Sequence, residues 1–259
     1  MSKEASVEHD LEHRVPVYAY KNPTREWLHG SRRDWIISKV RQYAPSIGHE
    51  KALDVGFGAG VYLPLLSELF DEAVGIDTQE IMLEYVRPLT TKYSNLRVVA
   101  GDIANCGLPR ESFNLIICSE VVEHIADSQK TINQLYSLLA PEGLLILSTP
   151  QRWSLLELMA RIAYLPGMFS LVKLIYREQP IFDPGHINLM SEREVVRQLE
   201  RAGFSVREHF KSGAYMPVVA DLMGGTGLKF ARWLEPKIRN GPLNGMLWVQ
   251  YYVAEKRLA

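Results

Sequence analysis

The chain has 259 residues, 47% of them hydrophobic, which suits one large α/β domain with insertions or one domain with a small cap. Its 29 Lys and Arg against 30 Asp and Glu leave a net charge of −1. That balance argues against a dedicated nucleic-acid binder and against binding to a membrane surface through charge alone. The two cysteines, Cys106 and Cys118, are not spaced as a metal or redox pair, and Cys118 in the run Leu115-Ile116-Ile117-Cys118 reads as a buried reduced thiol. The polar start Met1-Ser2-Lys3-Glu4 lacks a secretory signature. The apolar stretch 153–176 is broken by Glu157, Arg161, Pro166 and Lys173, so no transmembrane helix is expected and the cytoplasm is the default location.

Residues 1–22 read as a polar lead. Thr24 is placed to cap a helix reaching about Tyr43, anchored by Trp27, Trp35, Ile36 and Val40 and stopped by Pro45. Strands are then predicted at 52–55, 73–77, 96–100, 113–118 and 144–148, with helices at 61–70, 79–90 and 128–139. Continuous apolar strands with helices between them mean a parallel sheet covered on both faces. After Pro150 the alternation stops: 151–185 is apolar and helical, Ser191 starts a helix to Ala202 that Gly203 ends, and two last strands fall at 204–209 and 248–255. The stretch 213–245, punctuated by Gly and Pro, has no firm assignment.

The first strand ends in Asp54-Val55-Gly56-Phe57-Gly58-Ala59-Gly60 and feeds a helix. Glycines let the backbone turn sharply and approach a ligand at the carboxyl edge of the sheet. A dinucleotide fingerprint would need glycine at 61, where Val61 stands, and the Gly-Lys-Ser/Thr of a phosphate-cradling loop is absent. Asp54 is an awkward neighbour for a pyrophosphate and a suitable one for an ammonium group. Asp77, 23 residues on at the end of the second strand, can accept the hydroxyls of a ribose. Asp102, in Gly101-Asp102-Ile103 after the third strand, can accept from an adenine amino group. Each aspartate alone is more often a turn former or a helix cap.

Three carboxylates at consecutive strand ends fit an adenosine ligand with a cationic tail, and here the sequence resembles the class I S-adenosylmethionine (SAM)-dependent methyltransferases. The likeness runs from about Lys51 to Gly203, and residues 248–256 look like that family's last, antiparallel strand. It implies an α/β, Rossmann-like, seven-stranded and mostly parallel sheet with helices on both faces and a helical lid insertion. The implied divisions are a helical segment 1–45 over the cofactor site, a SAM-binding core 46–150, a lid 151–190 and a C-terminal completion of the sheet at 191–259. It also implies that Asp54, Gly56, Gly58 and Gly60 line the methionine part, that Asp77 takes the ribose and Asp102 with Ile103 the adenine, and that Thr78 and Ser119 are further cofactor-binding residues.

The fourth strand runs into Ser119-Glu120-Val121-Val122-Glu123-His124. On a helical turn, Glu120, Glu123 and His124 would share one face. Two carboxylates and an imidazole form half of a divalent-metal site, which His186 can complete. The pattern resembles two metal-dependent branches of the family, the ubiquinone-biosynthesis O-methyltransferases and the small-RNA 2′-O-methyltransferases, the former being nearest in motif. Mg²⁺ prefers oxygen ligands, so two histidines with two glutamates suit Mn²⁺, Fe²⁺ or Zn²⁺ better. A metal-free site with His124 or His186 as general base, and a purely structural role, stay open.

The apolar insertion, with Trp153, Leu155, Leu156, Leu158, Met159, Ile162 and further apolar residues to Ile175, would exclude water and accept an apolar or aromatic molecule. Its Arg152, Arg161, Lys173 and Arg177 suit transient contact with a membrane surface. The expectation is methyl transfer from SAM to an oxygen of a small apolar or aromatic acceptor. N- or C-methylation, RNA 2′-O-methylation and a non-catalytic SAM-binding protein are the alternatives, and the glycine spacing weighs against a nicotinamide oxidoreductase. The oligomeric state is not encoded in any recognisable pattern.

Overall fold

A computed structural model of the chain describes residues 23–163 and 185–257. In chain order, α1 (Pro23–Tyr43) precedes β1 (Lys51–Val55), α2 (Leu63–Leu69), β2 (Glu72–Asp77), α3 (Glu80–Lys92), β3 (Leu96–Ala100) and β4 (Phe113–Ser119). Then come α4 (Ser128–Leu138), β5 (Leu139–Pro150), α5 (Leu155–Ala163), α6 (Glu192–Ala202), β6 (Phe204–Ser212), α7 (Pro217–Arg239) and β7 (Val249–Lys256). The strands form one seven-stranded sheet in the order β3-β2-β1-β4-β5-β7-β6. Strands β1 to β5 pair in parallel, and β7 lies antiparallel between β5 and β6. The expected sheet, its strand count and its antiparallel last strand are therefore present.

Both faces of the sheet are buried because alternate side chains enter two separate cores. Leu53, Val55, Ile116, Cys118, Leu145, Leu147 and Tyr252 point to one side, where Ile132, Leu135 and Leu138 of α4 and Val195 and Leu199 of α6 cover them. Ala52, Leu115, Ile117, Leu144, Ile146 and Val253 point to the other, beneath Ile36 and Val40 of α1, Leu63 and Leu66 of α2, and Met82 and Val86 of α3. Burying a Leu, Ile or Val side chain fully contributes about 1.5–3 kcal/mol, so these strand residues dominate the fold's stability. Burial also raises the Cys118 thiol pKa, with the Glu123 charge adding to the effect, which fits an unreactive core thiol.

Two expectations change. Strand β5 begins at Leu139 rather than 144, because Leu139 already pairs with Phe113; the pairing then slips before Leu115 meets Leu144, where Glu142 takes a left-handed φ of 62°. The unassigned stretch 213–245 contains the long helix α7. Its glycines and Pro236 concealed it, and Gly224 (φ 48°, ψ −122°) does interrupt the helical geometry. Tertiary bonds hold the helix: Glu235 Oε2 accepts the Gly213 and Ala214 amides at 2.8 and 3.2 Å, and Arg239 Nε donates to the Lys211 carbonyl at 2.8 Å. Among the described residues, no helix is long and apolar enough to cross a membrane.

The insertion after β5 leaves and rejoins the sheet at one place. Gln151 and Met190 form an isolated parallel bridge. The Arg152 amide donates to Met190 O at 3.1 Å and its Nε to Leu189 O at 2.7 Å. Helix α5 is present within the insertion, while the lid residues from Tyr164 to Ile175, with Lys173 and Arg177, lie outside the described residues. The helix after Ser191 starts where expected, with Glu194 Oε2 accepting the Ser191 amide and hydroxyl at 2.7 Å each, and Gly203 (φ 105°) ends it. Ser191→Ala should cost about 1 kcal/mol of stability. Urea unfolding measures this, and an unchanged midpoint would show that the cap is idle.

Candidate active site

The strand order reverses between β1 and β4, and the crevice beyond their carboxyl ends is where an open α/β sheet receives a ligand. The loop leaving β1 fills that position. Gly56, Gly58 and Gly60 all adopt positive φ, at 67°, 48° and 71°. A Cβ on Gly56 would lie 2.5 Å from Val121 Cγ2, so glycine is required there by both conformation and space. Asp77, buried at the end of β2, accepts the Gly58 amide at Oδ2 and the Gln79 amide at Oδ1, both at 2.9 Å. Its carboxylate braces the loop and keeps further lone pairs for a ligand hydroxyl.

Asp54 is 1% exposed, and its Oδ2 is buried without a hydrogen-bond partner. Burial first, then the charge of Asp77, holds its carboxyl well above the usual carboxylate range. An orphan acidic oxygen beside a glycine cradle fits the ammonium end of a SAM molecule. Asp102 is exposed and caps the single turn Ile103–Asn105 by accepting the Ala104 amide at 2.9 Å, with Ile103 buried beneath it. Thr78 is exposed beyond Asp77, and Ser119, half-buried, shares a 2.9 Å hydroxyl contact with Ser148.

At the end of β4 the chain makes one tight turn, Val122–His124. It brings Glu123, His124 and His186 together, with ligand atoms all within 4.8 Å of one another. Glu123 is fully buried. One oxygen accepts the Thr149 hydroxyl at 3.1 Å, and the other, Oε1, has no hydrogen-bond partner and lies 4.0 Å from His124 Nε2. Burial, then the charge of Glu120, pushes the Glu123 carboxyl up, against the pull of Thr149 and Arg32. His124 Nδ1 lies 3.1 Å from the Gly185 carbonyl and His186 Nδ1 lies 3.1 Å from Glu157 Oε1. Both partners are acceptors, so both Nδ1 atoms carry protons and the two Nε2 atoms are left for other work.

Glu120 stands apart from this group. The expected helical face does not form, because Glu120 has a left-handed φ of 57° and the turn starts two residues later. Its carboxylate instead pairs with Arg32 of α1 at 2.8 Å and accepts the Ser148 hydroxyl at 3.1 Å. Sequence reasoning missed Arg32, Ser148, Thr149 and Glu157. Glu157 alone carried a signal, as a charge inside an apolar run that needs a partner if buried.

The family described as "Methyltransferase domain" matches residues 27–209 of this chain. The chain belongs to the SAM-dependent methyltransferase family. A Mycolicibacterium smegmatis protein named "Probable S-adenosylmethionine-dependent methyltransferase" is 26% identical over 156 residues, 60% of this chain and 52% of that protein. The ubiquinone biosynthesis O-methyltransferase of Histophilus somni is 30% identical over 147 residues, 53% of this chain and 57% of that enzyme. The matched stretch thus spans about half the length of these curated relatives. Among solved structures, the N-methyltransferase NodS from Bradyrhizobium japonicum, in complex with S-adenosyl-L-homocysteine, has a similar fold, with a TM-score of 0.61 at 15% identity over 97% of both chains.

For this methyltransferase family member, Gly56→Ala should weaken SAM binding by about tenfold or more, since a left-handed alanine costs about 1–2 kcal/mol before its clash with Val121. Gly58→Ala, whose Cβ would meet only the Gly56 carbonyl at 4.0 Å, should destabilise the fold less. Calorimetric titration and thermal melting of the two variants test this, and equal stability losses would remove the steric part. A second expectation follows from Asp54. An ammonium group beside it favours the ionised carboxyl, so SAM binding releases a proton and tightens as pH rises through the free protein's raised Asp54 pKa. Calorimetry in two buffers of different ionisation enthalpy should show that release in the wild type and lose it in Asp54→Asn.

Proposed function

We propose that the protein transfers the methyl group of SAM to an oxygen of a small apolar or aromatic molecule. The observation that carries this reading is the unpartnered Asp54 oxygen beneath three positive-φ glycines at the sheet's reversal point. In this reading Asp54 takes the ammonium end of SAM, the Gly56–Gly60 loop admits its methionine part, and Asp77 and Asp102 hold the adenosine. When bound, SAM supplies an electrophilic methyl group on a sulfonium.

Glu123, His124 and His186 would hold a divalent cation on the acceptor side. Two imidazole nitrogens with fixed tautomers and one orphan carboxylate oxygen are a donor set that suits Mn²⁺, Fe²⁺ or Zn²⁺. Such a cation would lower the pKa of a bound acceptor hydroxyl. The chain's own part is to orient that hydroxyl and exclude water. An apolar acceptor is supported by α5, whose Leu156 packs with Trp27, Leu28, Tyr215 and Trp248 and whose Glu157 reaches His186. Oxygen is supported by the O-methyltransferase named among the relatives.

The test is methyl transfer from labelled SAM to catechols bearing apolar tails. His124→Ala and His186→Ala should each lower turnover by about 10²–10⁴-fold while leaving SAM affinity nearly unchanged. Excess EDTA should abolish the activity, and Mn²⁺ or Zn²⁺ should restore it. Full activity in EDTA with loss in both histidine variants would replace the cation by an imidazole base acting through a bare Nε2. Undiminished activity in both histidine variants would remove the cluster from the reaction.

A further inference from the structure

Glu157 lies in the first turn of α5, the only described helix of the 151–190 insertion. Its backbone amide donates to Ser154 Oγ at 3.2 Å, and the buried Ser154 is itself held by its amide on the Gln151 carbonyl at 3.0 Å. This capping fixes the start of the helix directly from the point where the insertion leaves β5. Glu157 Oε1 then meets His186 Nδ1 at 3.1 Å, with the side chains only 9% and 10% exposed. The two residues belong to opposite ends of one insertion. The pair also sits beside His124, whose ring centroid is 5.4 Å from that of His186.

A carboxylate only accepts, so the Nδ1 proton of His186 is required, and in the neutral ring the lone pair is then on Nε2, in a residue with a ring nitrogen within 4.8 Å of ligand atoms of Glu123 and His124. The free imidazole has a second tautomer and can rotate, and either change would remove that lone pair from the cluster. A carboxylate behind a histidine also makes its opposite nitrogen a stronger donor. Meanwhile Glu120, the acidic residue that sequence spacing offered to the cluster, is withdrawn onto Arg32. We propose that Glu157 is a positioning residue of the active site, acting through His186. It selects the Nδ1–H tautomer, strengthens Nε2 as a donor, and makes assembly of the cluster depend on docking of α5. The role of Nε2 as a metal ligand rests on the cation reading given above; the tautomer selection does not.

The experiment uses the full chain stripped of metal, with Glu157→Gln and Glu157→Leu as variants that keep side-chain volume and helix propensity. Titration with Co²⁺ alone, followed by its visible absorption, should show binding weakened about 10–100-fold in both variants. Melting temperatures of the metal-free proteins check that the fold persists. Co²⁺ affinity equal to wild type in both variants overturns the proposal. If the wild type takes up no Co²⁺, the cation reading fails, and nitrogen NMR of His186 at alkaline pH decides the rest. An Nδ1–H tautomer in the wild type that gives way to Nε2–H in Glu157→Leu supports the positioning role, and the same tautomer in both overturns it.

Discussion

Two carboxylates, Asp54 and Glu123, are buried at the ends of β1 and β4, strands that pair directly, and each keeps one oxygen without a partner. Removing an ionised carboxylate from water costs several kcal/mol unless something compensates it. Each is made worse by a second acid, Asp77 beside Asp54 and Glu120 beside Glu123. A core under selection for stability alone would have no use for such a pair. The surrounding structure accommodates them: the glycine loop opens a path to Asp54, two histidines flank Glu123, and Arg32 reaches from α1 to neutralise Glu120. Burial holds both carboxyls above the usual carboxylate range, so each favours its neutral form until a positive group comes beside it.

Helix α1 shows how this local need is tied to the whole fold. Its second half packs into the core through Ile36 and Val40, and Lys39 and Tyr43 bind Glu208 on β6 at 2.5 Å. The same helix carries Arg32 to the end of β4. A single rigid element thus sets the position of the guanidinium from contacts far along the chain.

Most of the sheet was legible because a strand buried on both faces leaves an unmistakable apolar run, as in Leu115-Ile116-Ile117 or Leu144-Leu145-Ile146-Leu147. The glycine loop was equally legible, since Gly56 serves a backbone geometry that other residues reach only with strain. Legibility failed where tertiary contacts overrule local pattern. Helix α7 survives Gly224 and Pro236 through bonds made by Glu235 and Arg239, which no window of sequence reveals. Glu120 fits an i, i+3, i+4 face only if the backbone is helical, and its φ of 57° shows that it is not. Glu157 looked like an interruption of an apolar run because its partner, His186, is distant in the chain and close only once the insertion has turned back on itself.

That turning back has an evolutionary consequence. The bridge between Gln151 and Met190, and the two bonds from Arg152 to Leu189 and Met190, place the entry and exit of the insertion side by side. A segment whose ends are already joined can be lengthened, shortened or exchanged cheaply, since closing a flexible loop of twice the length costs only about 0.6 kcal/mol more. The sheet and its glycine loop would not register the change. The insertion can therefore vary without disturbing the cofactor loop, and under the proposed function that would let acceptor choice drift or be grafted independently of cofactor choice, provided that each new insertion returns an imidazole to the position His186 now holds.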